Sequence, residues 1–208
     1  MIRLALLAVA LAVVGCNVPE VDYIVTDGAL PSTTFRDGLD GYGGTQDTFI
    51  DSMAPMTAQG ASQSLQWTTS NNTHALLRFD GIMDRIPATA TIRDALLELY
   101  IVTPGSPSGM LFEIVGNWDE STTYNTFGAT PGVQPSEDRT TQQIGIINGG
   151  AVGAASFHVG ASVSRWKQNP ALNKGWVFIP NAGSLVVVRS SESPIEDQRP
   201  GLTVIYSE

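Results

Sequence analysis

Turn-forming residues occur so often along this sequence that they leave little room for long helices. Dipeptides such as Asp37-Gly38 and Pro104-Gly105 recur a few residues apart. Glycine tolerates positive φ, proline fixes φ, and asparagine and aspartate side chains bond to their own main chain, so all four favour turns. Only short strands fit between turns at this spacing. The chain is therefore predicted to be all-β.

Apolar and polar side chains alternate between these turns. Ala95, Leu97 and Leu99 share one side of a strand, while Glu98 and Tyr100 point the other way. A strand with this period buries one face and presents the other to water, which is typical of packed antiparallel sheets. We predict a two-layer antiparallel β-sandwich with jelly-roll-like connections.

One segment has helical spacing instead. Val159, Val163 and Trp166 recur three to four residues apart, and Asn169-Pro170 follows as a stop signal. This pattern predicts one short helix near residues 160–168 that packs over one end of the sandwich, with Trp166 in the core. The polar stretch Thr126 to Gln143 is predicted to be a long loop.

The first residues are typical of a targeting segment. Arg3 precedes the apolar run Leu4 to Val14. A helix of this length rises only about 16 Å, against the roughly 30 Å of a bilayer's hydrocarbon core. We predict a signal peptide over residues 1–15, a tether over 16–34 and one domain over 35–208.

Cys16 is the sole cysteine, so the chain cannot form an internal disulfide. The residues Val13-Val14-Gly15-Cys16 resemble the lipobox of bacterial lipoproteins. This resemblance implies a lipidated Cys16 and an exported protein anchored to a bacterial membrane, on its periplasmic or cell-surface side. The alternative is a cysteine that happens to lie in an ordinary signal peptide.

The charge balance narrows the choice of partners. The chain has 20 acidic and 11 basic residues, and its net charge is −9. This balance argues against nucleic acid or anionic lipid as the main partner, because both are themselves negative. Neutral glycans, cations and basic protein surfaces remain possible partners.

Seven short segments, in order along the chain, carry a family resemblance. They are Asp40 to Ile50, Ala75 to Asp80, Ile86 to Ile92, Trp118 to Thr122, Gly175 to Pro180, Ser190 to Glu192 and Arg199 to Tyr206. Over residues 35–206 the chain resembles the DNRLRE domain, also classed as the family-96 carbohydrate-binding module and related to the disaggregatase repeat. Members of that family are β-sandwiches at or outside the cell surface, often joined to exported enzymes, and some bind polysaccharide.

The resemblance implies a surface-anchored, non-catalytic module that binds polysaccharide, serving a separate exported enzyme if it serves one. The alternative is a structural or adhesive envelope lipoprotein that binds a protein partner. Two features depart from the family: Tyr124 stands where tryptophan is commoner, and no enzyme domain is attached.

Aromatic side chains and one arginine are the candidate ligand contacts. Trp118, Tyr124 and Tyr42 could stack on sugar rings, and Tyr42 is expected to be exposed in its glycine-rich turn. Trp118 and Tyr124 could equally belong to the core. Arg78 could contact an acidic sugar, although a structural pairing with Asp80 is the favoured alternative.

Acidic residues near the start of the domain are candidate ligands of a structural Ca²⁺ ion. Asp40 and Asp47, with Asp37 and Asp51 nearby, offer the oxygen atoms that calcium prefers. Their spacing matches no EF-hand loop. The alternative is that these carboxylates only cap turns.

Catalytic motifs are few. The two histidines, His74 and His158, have no metal-ligand spacing, and the sequence contains no GxSxG motif or phosphate-binding glycine loop. Paired acids, Asp119-Glu120 or Glu192 with Glu196, could cleave a glycosidic bond only at a suitable separation. We expect a protein that is not an enzyme.

Overall fold

The computed structural model describes residues 28–105, 109–181 and 185–208. Cys16, the predicted signal peptide and most of the predicted tether lie outside these residues. The described part contains eleven β-strands and one α-helix. They are β1 Ser32–Phe35, β2 Thr45–Ile50, β3 Ser64–Trp67, β4 His74–Phe79, β5 Thr91–Thr103, β6 Gly109–Ile114, β7 Arg139–Ile147, β8 Gly153–His158, α1 Gly160–Gln168, β9 Trp176–Pro180, β10 Val186–Arg189 and β11 Gly201–Ser207.

Two antiparallel sheets pack face to face, so the predicted all-β sandwich is confirmed. The strands β3, β10, β5 and β8 lie side by side in one sheet, and β4, β9, β6 and β7 lie side by side in the other. In each sheet, a strand from the first half of β3–β10 alternates with one from the second half or closes the row beside it. This strand order is that of an eight-stranded jelly roll.

Three further strands widen this jelly roll. In the six-stranded sheet, β11 pairs with β5 and β1 pairs with β11; in the five-stranded sheet, β2 pairs with β4 at the edge. Because β1 begins at Ser32, the sandwich starts before Phe35, and the last three residues of the predicted tether belong to a strand.

Helix α1 spans Gly160–Gln168 and confirms the predicted short helix. It buries Val163 and Trp166 against the end of the sandwich, and Trp166 packs on Trp176 with ring centroids 4.7 Å apart. No helix in the described ranges has the length and apolar character needed to cross a membrane.

The predicted loop Thr126 to Gln143 is wrong in its C-terminal part, because β7 begins at Arg139. The polar sequence of this strand misled the prediction. Strand β7 lies at the edge of the five-stranded sheet and is largely accessible, so it does not need alternating apolar residues.

The main core lies between the sheets. Trp67 of β3 stacks on Phe178 of β9 with centroids 5.1 Å apart, which joins the two layers. A second apolar cluster lies on the opposite, outer face of the five-stranded sheet, where the segment 115–138 between β6 and β7 covers Leu76 and Val177. The five-stranded sheet is therefore buried on both faces, whereas the six-stranded sheet keeps an open outer face.

Candidate functional site

Trp118 lies in the second apolar cluster, with only 6% of its surface exposed. Its indole Nε1 donates to the carbonyl of Lys174 at 2.7 Å, and the guanidinium of Arg78 lies 5.0 Å from the ring centroid. Both the ring edge and one ring face are thus occupied by protein. Trp118 belongs to the core, the alternative that the sequence had left open, and its prediction as a sugar-stacking residue is wrong.

Tyr124 also packs against the second cluster and is half-buried. Its hydroxyl accepts a hydrogen bond from Asn72 Nδ2 at 2.7 Å. A Cβ atom at Gly132, whose φ is +81°, would lie 2.8 Å from this ring, so glycine allows the segment 115–138 to close over Tyr124. This tyrosine is half-buried and joins the segment to the β3–β4 turn.

Tyr42 is 6% exposed, so its predicted exposure is wrong. Its hydroxyl donates to the carbonyl of Asp80 at 2.9 Å, and its ring contacts Phe35 edge-on. A Cβ atom at Gly44 would lie 2.7 Å from that same carbonyl. The glycine-rich turn therefore allows the main chain at Gly44 to approach the Asp80 carbonyl closely, and it does not expose Tyr42. Burial, followed by the charges of Asp37 and Asp80, raises the pKa of Tyr42 above its ordinary value.

Arg78 binds to the protein itself. Its Nε and Nη2 donate to the two carboxylate oxygens of Asp80 at 2.6 and 3.0 Å, and its Nη1 donates to the carbonyl of Trp118 at 2.9 Å. All three nitrogens have partners, so the structural alternative is confirmed and contact with an acidic sugar is not supported. Arg199 likewise has structural partners, the carbonyls of Ser193 and Asp37.

The predicted calcium ligands do not come together. Asp40 lies exposed in the short 3-10 turn Leu39–Gly41, whereas Asp47 of β2 is 1% exposed and faces the interior. The charge that acts on the Asp47 carboxyl is that of Glu192, not that of Asp40. Sequence proximity of Asp40 and Asp47 was misleading, because Asp40 is exposed in a turn whereas Asp47 is buried in a strand. Among the described residues, no three His, Cys, Asp or Glu side chains converge as a ready-made metal site.

The paired acids considered for catalysis are also rearranged. Asp119 bonds locally to Ser121, which lowers the pKa of its carboxyl. Glu120 instead comes near Glu192, and burial followed by that charge raises the pKa of Glu120. The proximity of Glu120 and Glu192 has no signal in the sequence, since seventy-odd residues separate them.

The open outer face of the six-stranded sheet carries a partly exposed tyrosine. Along β5, Leu97, Leu99 and Ile101 are buried between the sheets, and Tyr100 points outward between them. Directly across from Tyr100 on β8 is Ala154, a side chain too small to cover the ring. Of the tryptophans and tyrosines in the described ranges, only Tyr100 and Tyr124 are not buried.

Polar groups surround Tyr100 on this face. Glu98 lies across from Ser156 on one side and from Gly201 on the other. Arg36 bonds to Glu98 at 3.1 Å and passes over Gly201, where a Cβ atom would lie 2.8 Å from its Nη2.

Arg189 completes these surroundings. It follows Val188, which pairs with Ile101, so the register places it beside Tyr100 on the same face. Its Nε donates to Gln198 at 3.3 Å. We call the surface formed by Glu98, Tyr100, Ala154, Ser156 and Arg189 the Tyr100 face.

The Tyr100 face contains one aromatic ring, the small side chains of Ala154 and Ser156 beside it, and the hydrogen-bonding groups of Glu98 and Arg189. This is the arrangement by which an apolar ring face and nearby polar groups hold a sugar ring. Sequence reasoning placed Tyr100 on the outward side of its strand but did not select it. The signal was present in the period-two pattern, although nothing in the sequence indicates which outer sheet face is left open.

Comparison with known protein families finds no matching family model, and comparison with curated proteins finds no match.

Proposed function

We propose that this chain is a non-catalytic polysaccharide-binding module that uses the Tyr100 face. The observation that carries the proposal is the position of Tyr100, an outward-pointing ring on the open sheet face with Ala154 and Ser156 beside it. The resemblance of residues 35–206 to the DNRLRE domain supports a polysaccharide as the ligand class. A neutral polysaccharide fits best, because the chain carries a net charge of −9 and Arg36 is already paired with Glu98.

Binding would combine stacking with hydrogen bonds. A pyranose ring would lie on the face of Tyr100, and its hydroxyls would meet the carboxylate of Glu98, the hydroxyl of Ser156 and the guanidinium of Arg189. An extended face of this kind suits a chain of sugar units rather than a single sugar, since it is a surface and not an enclosed pocket.

The experiment measures affinity for a panel of neutral and acidic polysaccharides by affinity electrophoresis and calorimetry, using the full chain. Tyr100→Leu should weaken binding about two- to tenfold, because stacking contributes about 0.5–1.5 kcal/mol. Tyr124→Leu is the matched control. It also removes a half-buried tyrosine ring, but from the segment 115–138 on the five-stranded sheet, and it should leave affinity unchanged. Equal affinity of the wild type and Tyr100→Leu, or no binding across the panel, would contradict the proposal.

We further propose that Cys16 carries a lipid that holds the module at a bacterial membrane. The apolar run Leu4 to Val14 and the following Gly15-Cys16 pair support this. Expression in a bacterium with an alkynyl palmitate analogue should label the wild-type chain in the membrane pellet. Cys16→Ser should abolish both labelling and pelleting, and labelling that survives this substitution would overturn the assignment.

A further inference from the structure

Two acidic side chains from opposite sheets of the sandwich face each other in its interior. Asp47 of β2 is 1% exposed, and it pairs in register with Leu77, a residue of the main core. Glu192 lies in the turn that follows β10 of the other sheet, and its carboxyl group is hydrogen-bonded to that of Asp47. This contact joins the edge strand of the five-stranded sheet to the six-stranded sheet. We call Asp47 and Glu192 the carboxyl pair.

Ser191 fixes one oxygen of each carboxyl group in the pair. Its main-chain N–H donates to Asp47 Oδ2 at 2.7 Å, and its hydroxyl donates to Glu192 Oε1 at 2.9 Å. The other two oxygens, Asp47 Oδ1 and Glu192 Oε2, are buried, and no other group among the described residues donates to them. An ionised carboxylate only accepts hydrogen bonds, so a bond between two carboxyl groups requires a proton on one of them. One shared proton accounts for both oxygens.

The charged groups around the carboxyl pair are mainly acids. These acids are Asp37, Asp119 and Glu120. Glu120, in the segment 115–138, accepts a hydrogen bond from the main-chain N–H of Asp47. Among the described residues, the charges that act on Asp47 and Glu120 are all negative. A buried carboxylate needs a positive partner or a proton to offset the loss of hydration, so these surroundings favour the proton.

Two arginines in the same region are bound to other groups. Arg78 donates to the Asp80 carboxylate, and Arg199 donates to the carbonyls of Ser193 and Asp37. In the described part of the chain, neither guanidinium donates to the carboxyl pair. The pair is therefore held together without a cation.

We propose that Asp47 and Glu192 share one proton, and that loss of this proton as the pH rises releases the turn 190–193 from β2. With the proton in place, one carboxyl group donates to the other. Without it, two carboxylates face each other where charge is poorly screened, and their repulsion separates them. Glu192 is less buried than Asp47, so its side chain is the one that moves into water. Ser191, which bonds to both groups, moves with it.

The stability of the fold should follow this proton. In the unfolded chain, an aspartate carboxyl loses its proton near its ordinary pKa of 3.8. In the folded chain, burial and then the charge of Glu192 raise the pKa of Asp47 well above that value. Between the two values the folded chain binds more protons than the unfolded chain, so stability falls as the pH rises. Burial, followed by the charge of Glu192, also raises the pKa of Glu120, which acts in the same direction.

Thermal unfolding of the full chain at pH 5 and pH 9 tests the proposal. Asp47→Asn keeps the shape of the side chain, and its amide donates to Glu192 at either pH. From pH 5 to pH 9, the Tm of the wild type should fall by at least about 3 °C more than that of Asp47→Asn. Other groups whose pKa is shifted, such as His74 and Glu120, are present in both chains, so their titration cancels from this difference.

Hydrogen exchange at Ser191 gives a second readout, which reports the contact itself. After correction for the intrinsic effect of pH on exchange, protection of the Ser191 main-chain N–H should fall about tenfold in the wild type from pH 5 to pH 9. The same protection should stay constant in Asp47→Asn, because the amide keeps Glu192 and Ser191 in place at both pH values.

Two charge-matched controls separate the carboxyl pair from a general effect of charge. Asp84→Asn and Glu137→Gln each remove an exposed acid and should show the wild-type fall in Tm. If Asp47→Asn does not fold, Glu192→Gln provides the test, because its amide can donate to Asp47 and Glu192 is less buried. An equal fall in Tm in the wild type and Glu192→Gln, or unchanged protection of Ser191 in the wild type, would overturn the proposal. This outcome is independent of polysaccharide binding at the Tyr100 face.

Discussion

The guanidinium of Arg78 lies over the indole ring of Trp118, 5.0 Å from its centroid, and donates from Nη1 to the carbonyl of the same residue at 2.9 Å. On the other edge of the guanidinium, Nε and Nη2 donate hydrogen bonds to the two carboxylate oxygens of Asp80 at 2.6 and 3.0 Å. One side chain of β4 therefore holds the start of the segment 115–138 against the five-stranded sheet. This segment covers the outer face of the five-stranded sheet, whereas the outer face of the six-stranded sheet is open.

Arg78→Lys should lower the free energy of unfolding by about 2–3 kcal/mol. A lysine amine cannot reproduce the planar fork that bonds to Asp80 and Trp118 together, and hydrogen bonds to charged groups contribute about 1.5–3 kcal/mol each. Urea unfolding followed by circular dichroism measures the change. Arg93→Lys, an exposed arginine of the other sheet, is the control and should change stability by less than about 0.5 kcal/mol. A similar loss in both variants would contradict the role given to Arg78.

Trp118→Phe should destabilise the fold without weakening polysaccharide binding. Phenylalanine keeps an aromatic ring in the second cluster but loses the hydrogen bond to Lys174 and part of the buried volume, at a cost of about 1–3 kcal/mol. Urea unfolding gives the stability and affinity electrophoresis gives the binding. A folded Trp118→Phe chain with weakened binding would place the ligand at the segment 115–138 instead of the Tyr100 face.

The fold could be predicted from the sequence because its determinants are local and repetitive. The alternation of Ala95, Leu97 and Leu99 defines the inner face of β5, and the helical spacing of Val163 and Trp166 defines α1. Each pattern follows from the geometry of one element, so it survives without knowledge of the neighbours. Strand β7 escaped detection because an edge strand has no need of alternation.

The site residues could not be predicted in the same way, because exposure depends on what covers each side chain. Trp118 and Tyr42 look accessible in polar or glycine-rich surroundings, yet the segment 115–138 and the close approach at Gly44 bury them. Tyr100 looks like any outward residue of a strand. It becomes a candidate ligand contact only because the other sheet's outer face is covered, which depends on segments far apart in sequence.

Gly175→Ala should be strongly destabilising, whereas Gly43→Ala should not. Gly175 has φ +76°, and a Cβ atom there would collide with the carbonyl of Leu77 and lie 2.7 Å from Arg78 Cβ. Left-handed strain costs roughly 1–2 kcal/mol and overpacking roughly 1–3 kcal/mol, so a loss of about 2–4 kcal/mol is expected. No atom lies within 4 Å of a Cβ at Gly43, and its change should stay below about 1 kcal/mol. Urea unfolding of the two alanine variants side by side tests this, and equal midpoints would show that β4 and Gly175 can separate freely.

His74 should make the fold less stable as the pH falls from about 6.5 to about 4. The residue is 5% exposed, and burial, with a smaller effect of the Arg139 charge, lowers its pKa from 6.5 to about 4. The unfolded chain therefore binds a proton in this window before the folded chain does, so acid favours unfolding. Between pH 7.5 and 4.5 this single group should remove about 2–3 kcal/mol, since one pKa unit corresponds to about 1.4 kcal/mol.

The test compares the free energies of unfolding in urea at the two pH values. His74→Phe should lose about 2–3 kcal/mol less than the wild type over this interval, because phenylalanine cannot bind the proton. His158→Gln is the control: its imidazole is largely exposed beside Asp94, and its replacement should preserve most of the wild-type pH dependence. If His74→Phe and the wild type lose stability equally, His74 is not the group that carries this part of the acid sensitivity.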